Sequence, residues 1–465
     1  MIELPNNIES LTELVKQLLE ESERLKEENE RLRAENAELR RRLGLDSHHS
    51  HKPPSSDGYR KKSVKPGIPK EGRTSKNGGQ PGHKGKTLER VEHPDEIQIH
   101  LPKRCQCCQR PFTTEETYEI IPSRQVFDLP KPKLEVIEHR LGQISCCGQR
   151  HRGSYPEEVT ALVQYGPGVR ALITKLSVDH NLPLEQISQL FEDIYGYDLN
   201  TKTIEEALER GYKWIAPLEK QIISRLKQEE QAHFDETGVR VAGKLYWMHT
   251  VATEQMTHLF IHEKRGLEAL ESEASILKDF KGMAMHDCWS PYFHYQSVRH
   301  LWCGAHLLRE LYNRLENGSL WAEEMHRFLL ALYRMPRPTT AGELVRLHYH
   351  LILEQADREE PPPQRNKRGK PKQSKGRNLL NRLREHEDGV LAFALEASVP
   401  FTHNQAQRDL RPIKVKQKVS GCFRTPRGAE VYARLRATIS TCRKQGLNVF
   451  ATWRDLFSCV PFGLA

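Results

Sequence analysis

Five leucines, at positions 11, 18, 25, 32 and 39, stand seven residues apart near the N-terminus of this 465-residue chain. No other feature restricts its fold as tightly. With these leucines at d, the a positions are Ile8, Val15, Ser22, Asn29, Asn36 and Leu43. An apolar repeat of seven residues, held this long, imposes a left-handed coiled coil. Asparagine at a costs stability but selects a parallel dimer in register, because each pairs with its mate across the seam. The flanking charges agree. Glu21, Glu28 and Glu35 fall at g, and Lys26, Arg33 and Arg40 at the e positions five residues on. Every g-to-e′ contact of a parallel dimer is then attractive, whereas an antiparallel pairing sets like charges together. The repeat predicts a parallel homodimer through residues 8–43, with the helix stopping near Gly44.

Past the zipper the composition changes. Residues 52–90 hold eleven Lys or Arg against three acids, and proline and glycine are too dense for a buried core. This is a basic linker, and Lys61, Lys62, Lys65, Lys84 and Lys86 are its candidate DNA contacts. Residues 365–377 add seven basic residues and no acid, within a Pro- and Lys-rich segment at 335–377. Such segments give salt-sensitive, sequence-blind affinity for nucleic acid. The net charge of +9 matters less than this clustering. No apolar run approaches the roughly 18 residues that a membrane span needs, and the N-terminus has no apolar signal core. A cytoplasmic, nucleoid-associated protein is the default expectation.

A chain this long exceeds one core. The divisions expected are a coiled coil at 1–44, a linker at 45–95, a zinc-binding domain at 96–158, a helical spacer at 159–228 and a catalytic domain at 229–465. That last domain is interrupted by an insertion at about 302–395. Ten cysteines argue against a disulfide scaffold. Cys105-x-x-Cys108 followed by Cys147 has the spacing of a structural Zn²⁺ knuckle, with Cys146 or His151 as fourth ligand. Strands are expected around it at 118–121 and 133–141, as in a zinc ribbon. The spacer reads as helix throughout. Residues 183–195, a Gly-Tyr-Asp turn and 200–212 make a helix–turn–helix pattern, with Asn200 or Thr201 as N-cap.

From residue 231 the period changes to that of strands. Runs at 231–240, 244–253 and 257–263, a helix-like stretch at 266–280 and a further run at 282–289 follow one another. Asp235 lies on the first and Asp287 at the end of the last. If those two strands are parallel neighbours, their carboxylates meet, and paired hard oxygen ligands are what Mg²⁺ or Mn²⁺ needs to act on a phosphodiester.

Several segments in this order resemble the transposases of the insertion-sequence sixty-six family: Lys52-Pro53-Pro54-Ser55-Ser56-Asp57-Gly58, Gly78-Gly79-Gln80-Pro81-Gly82-His83-Lys84-Gly85, Gln164-Tyr165-Gly166-Pro167-Gly168, Phe234-Asp235-Glu236-Thr237-Gly238 and Asn404-Gln405-Ala406. The resemblance covers nearly the whole chain. It implies an RNase H-like α/β catalytic domain carrying a DDE triad, within an α+β multidomain protein. It also implies a zinc-binding segment and inverted-repeat and target DNA as partners. A zipper dimer is then half or all of a synaptic assembly. Asp235 and Asp287 match the first two acids. Cys303 and His306, on a helix expected over 301–315, match a Cys/His pair seen after the second acid in such domains; one turn apart, they share a face, and packing is the role expected of them.

The third acid departs from the family. Its pattern is Asn-x-Ala-Glu-Arg, and this chain reads Asn404-Gln405-Ala406-Gln407-Arg408. Gln407 offers a carbonyl oxygen but no charge, and His403 stands where Asn is expected. Asp409, about 200° further round the helix, is expected to point away, and nothing in the sequence brings Glu430 near. Arg408, Arg411, Lys414 and Lys416 follow; Lys414 is spaced to steady a phosphate from the face of Gln407. Two readings stay open: a transposase acting by two-metal phosphoryl transfer, or a dimeric DNA-binding protein that occupies element ends without cutting.

Overall fold

The computed structural model describes residues 87–113, 117–120, 123–363 and 373–460, together with Arg24 and Glu28. The zipper apart from those two helical, exposed residues, the linker lysines 61, 62, 65, 84 and 86, and residues 364–372 of the second basic run lie outside them. The chain forms two compact units, the smaller being Arg60–Glu138. In that unit Cys105, Cys107 and Cys108 occupy a tight turn. The Cys105 amide donates to Arg110 O, the Gln109 amide donates back to Cys105 O at 3.0 Å, and Gln109 is left-handed at φ 59°. Amides of Cys108 and Cys107 donate to the Cys105 sulfur and lower its pKa. The strands expected at 118–121 and 133–141 do not form over the residues described there; without a partner strand, an alternating pattern yields only extended chain.

The larger unit begins with a hairpin, β1 (Gln143–Cys146) and β2 (Gln149–Arg152), antiparallel with Cys146 opposite Gln149. Cys147 and Gly148 make its two-residue turn, both with positive φ, the geometry that suits the strands' twist. The turn leaves Cys146 and Cys147 exposed, their sulfurs 3.5 Å apart.

Four helices follow: α1 (Pro167–Thr174), α2 (Leu184–Tyr195), α3 (Thr201–Trp214) and α4 (Ala216–Leu226). Gly196 closes α2 in the left-handed region, and the Asn200 side chain caps α3 by accepting from the Lys202 amide. The expected helix–turn–helix pattern is thus present. Ile173, Ile187, Phe191, Leu199 and Ile204 form its own small core.

A five-stranded mixed sheet is the centre of the unit. Its strands are β3 (Gln231–Val241), β4 (Lys244–Ala252), β5 (Thr257–His262), β6 (Met283–His286) and β7 (Arg299–Trp302), in spatial order β5-β4-β3-β6-β7. The first three are antiparallel; β6 and β7 run parallel to β3. The helix expected at 266–280 shrinks to one turn, α5 (Leu267–Leu270), and a 3₁₀ turn at Leu277–Asp279. Serines break it: Ser272 Oγ bonds back to Ala269 O, and Ser275 Oγ accepts from the Leu277 amide.

Helices α6 (Gly304–Leu315), α7 (Leu320–Arg334), α8 (Gly342–Glu359), α9 (Lys375–Glu385) and α10 (Glu387–Leu395) then form the insertion, around Trp321, Tyr349 and Leu383. The expected helix at 301–315 starts later, because Leu301 and Trp302 complete β7 and Cys303 becomes the N-cap residue of α6. The chain ends in α11 (Asn404–Ser420), α12 (Pro426–Lys444) and α13 (Val449–Phe457). Helix α11 packs on β3 and β4, and α12 on β5. No helix among the described residues is long and apolar enough to cross a membrane.

Candidate active site

The parallel register of β3 and β6 aligns His233 with Met285. Two residues on, with the same side-chain parity, stand Asp235 and Asp287. Both carboxylates are mostly shielded, at 16% and 14% side-chain exposure. Burial raises the Asp287 pKa, and the facing Asp235 carboxylate raises it further. Each carboxylate is anchored by backbone: Asp235 Oδ1 accepts from the Glu236 amide at 2.9 Å, and Asp287 Oδ1 from the Trp289 amide at 3.0 Å.

A third carboxylate belongs to the group, and the sequence reading missed it. Glu236 is buried, and Arg265 Nε and Tyr292 Oη donate to it at 2.7 and 2.6 Å. Burial first, then Asp287, push its pKa up to about 7 against the pull of Arg265. Arg265 spans the group. It lies 3.9 Å from Asp287 Oδ2 and over the faces of Trp289 and Trp247, at 4.1 and 5.0 Å from the ring centres. Arg309, a turn beyond His306 on α6, also belongs here. Burial lowers its pKa, while Cys303, Asp235 and Asp287 attract its charge. The spacing Cys303, His306, Arg309 was the signal available for it.

At the start of α11, His403 is fully buried, and its Nε2 lies 3.2 Å from Asp235 Oδ2. One turn on, Gln407 Nε2 lies 3.5 Å from the same ring nitrogen. The third-acid position therefore turns toward Asp235, with His403 between. The His403 amide donates to Cys303 Sγ, and its ring stacks on His306 with centres 4.8 Å apart. Burial alone would lower the His403 pKa; Cys303 and Asp235 together drive it well above its ordinary value. Burial opposes ionisation of Cys303, and His403 outweighs that burial.

Other candidates fall elsewhere. Asp409 points away from the group, as expected, and binds Thr257 Oγ1 and Lys444 Nζ at 2.9 and 2.8 Å. Glu430 pairs with Arg427 on α12. The phosphate role expected of Lys414 is corrected: its Nζ donates to Gly238 O at 2.7 Å and braces α11 against β3. Lys416 is partly buried, 6.0 Å from the Tyr432 ring centre, whereas Arg408 and Arg411 are exposed.

Shielded carboxylates on neighbouring strands of a mixed sheet offer oxygen ligands of the kind a divalent cation takes. The family model described as Transposase IS66 family matches residues 163–431, more than half of the chain, and the chain belongs to this family. Membership implies a DNA substrate, divalent metal and DNA transposase function. A second model, a family of unknown function (DUF6444), matches residues 3–89. No curated protein matches the chain.

Proposed function

We propose that this protein binds the terminal inverted repeats of an insertion sequence and cuts and joins DNA strands on an RNase H-like sheet, with Asp235 and Asp287 as the catalytic carboxylates. The β3–β6 register supports this reading: continued two residues past the paired His233 and Met285, it brings Asp235 beside Asp287. Two shielded carboxylates, with burial and the Asp235 charge opposing ionisation of Asp287, fit Mg²⁺ or Mn²⁺, which take oxygen ligands. Such ions, when bound, activate the attacking oxygen and stabilise the leaving one. The chain's own part is to hold the site. Backbone amides of Glu236 and Trp289 fix the carboxylates. Glu236 and Tyr292 lock Arg265, and Arg265 and Arg309 supply positive charge for a bound phosphate. Arg408, Arg411 and the linker lysines extend that charge along the DNA.

A second reading, a dimeric protein that occupies element ends without cutting, is favoured by one observation: His403 sits on Asp235 Oδ2, and Gln407 adds no negative charge beside it. Cleavage of 3′ ends on inverted-repeat DNA with Mg²⁺ or Mn²⁺ separates the two. On the catalytic reading wild type cuts, and Asp235→Asn or Asp287→Asn lowers the rate while repeat binding persists. The loss should exceed about 100-fold, because outer-shell partners of a metal alone are worth roughly 10–100-fold. Inert wild type with a gain of cleavage in Gln407→Glu establishes the second reading. If both bind the repeats and neither cuts, Asp235 and Asp287 do not form a working centre in this chain.

A further inference from the structure

Next to Asp235, linked to it through His403, the fold gathers a second set of ligating atoms. Cys303 at the N-cap of α6, His306 one turn on and His403 before α11 are buried at 1%, 6% and 0% exposure. One ligand atom from each lies within 4.8 Å of the others. Two stretches about a hundred residues apart meet here: the junction of β7 with the first turn of α6, and the start of α11. The His403 Nδ1 is buried with no hydrogen-bond partner, although its Nε2 engages Asp235. A buried ring nitrogen without a protein partner is costly unless something else accepts or binds it.

We propose that Cys303, His306 and His403 bind Zn²⁺, and that this ion positions Asp235. The donor set is one sulfur and two imidazole nitrogens. It suits zinc and disfavours the hard cations that carboxylates take, so this site is chemically distinct from the Asp235–Asp287 pair. Tetrahedral zinc with ordinary bond lengths sets sulfur and nitrogen ligands about 3.5 Å apart. The observed spread is about an ångström wider, which small side-chain rotations close. Zinc on Nδ1 fixes the His403 tautomer with its proton on Nε2, donating to Asp235 Oδ2. That is the carboxylate–histidine–metal relay by which outer-shell groups orient ligands, and here it works in reverse to orient a candidate catalytic acid. Three protein ligands leave a fourth position open to water.

The test uses full-length protein in which the thiols expected of the zinc knuckle are removed by Cys105→Ser, Cys108→Ser, Cys146→Ser and Cys147→Ser. Elemental analysis after purification should find one zinc per chain. Cobalt added to the apo-protein should give a sulfur-to-metal charge-transfer band with tetrahedral visible absorption. Adding Cys303→Ser should abolish the band, and adding His403→Ala should lower zinc occupancy at least tenfold. Where either variant loses its circular dichroism, His306→Cys decides: a second thiolate intensifies the cobalt band. No zinc and no cobalt band in the four-serine chain overturns the proposal and leaves a buried thiolate–imidazolium pair. An unchanged band after Cys303→Ser, or after His306→Cys, overturns it equally. None of these readouts requires DNA cleavage, so the proposal and the catalytic reading fail separately.

Discussion

Single residues decide the electrostatics of this site, and Glu236 shows how. It follows Asp235 in sequence and is buried beside Arg265 and Tyr292. Its pKa rises from 4.5 to about 7 in the fold, so the folded state holds a proton that the unfolded chain releases. The sign follows from linkage: stability from this group is complete below about pH 4.5 and is lost as pH rises through about 7. Urea midpoints of metal-free protein should therefore fall between pH 5 and 8, and Glu236→Gln should flatten that slope. Saturating Mg²⁺ should flatten it too, because a cation between Asp235 and Asp287 removes the negative charge that raises Glu236. A wild-type midpoint independent of pH, with an unchanged profile in Glu236→Gln, would show that Arg265 keeps the carboxylate ionised. Sequence alone could not rank these effects. It marked Asp235 and Asp287 by the strand-like runs that carry them, but Glu236 reads as one more charged residue until its burial is seen.

At the scale of elements, the first turn of α6 is a pivot. The Gly304 amide donates to Phe401 O, and a Cβ on Gly304 would sit 2.2 Å from the Phe401 ring. Gly304→Ala must therefore push Phe401 aside and carry His403 with it, two residues on. The expected cost is about 1–3 kcal/mol, as for other overpacked sites. It should be read from thermal unfolding together with loss of the His403–Asp235 contact in the histidine NMR spectrum. A second junction ties the helical spacer to α12. Asp179, fully shielded, receives Arg436 at 3.0 Å and Arg443 at 2.7 Å. Asp179→Ala strands the buried Arg436 and should cost about 3–5 kcal/mol. A loss under about 1 kcal/mol would mean that Arg436 finds water instead. The helix–turn–helix of the spacer was legible in sequence, because its caps Gly196 and Asn200 are local signals. Strand β7 was not: Arg299–Trp302 is four residues long, and only its pairing with β6 makes it a strand.

Across the whole molecule, the expected architecture joins a dimerising helix, a basic linker and a catalytic unit, so that two DNA ends can be held together. Deleting residues 1–44 should convert a dimer to a monomer in sedimentation. Loss of bivalency should weaken binding to paired repeats by roughly 100-fold or more, with little change on a single repeat. A truncated chain that remains dimeric would move the interface elsewhere. Raising salt should weaken both chains alike, since the linker charges are untouched.

Periodicity, caps and charge are local, and so the sequence on its own determined the helices around Gly196 and Asn200 and the three long strands of the sheet. The same locality marked Asp235 and Asp287 as acids on strand-like runs, although Asp235 lies within β3 and not at its end; that Gln407 stands in an acidic position came from the family resemblance. Proximity between distant segments is another matter, because it depends on register and packing that no single segment encodes. Only the tertiary structure brought Asp287 near Asp235, buried Glu236 with them, committed Lys414 to a backbone carbonyl, and brought Cys303, His306 and His403 together next to the first aspartate.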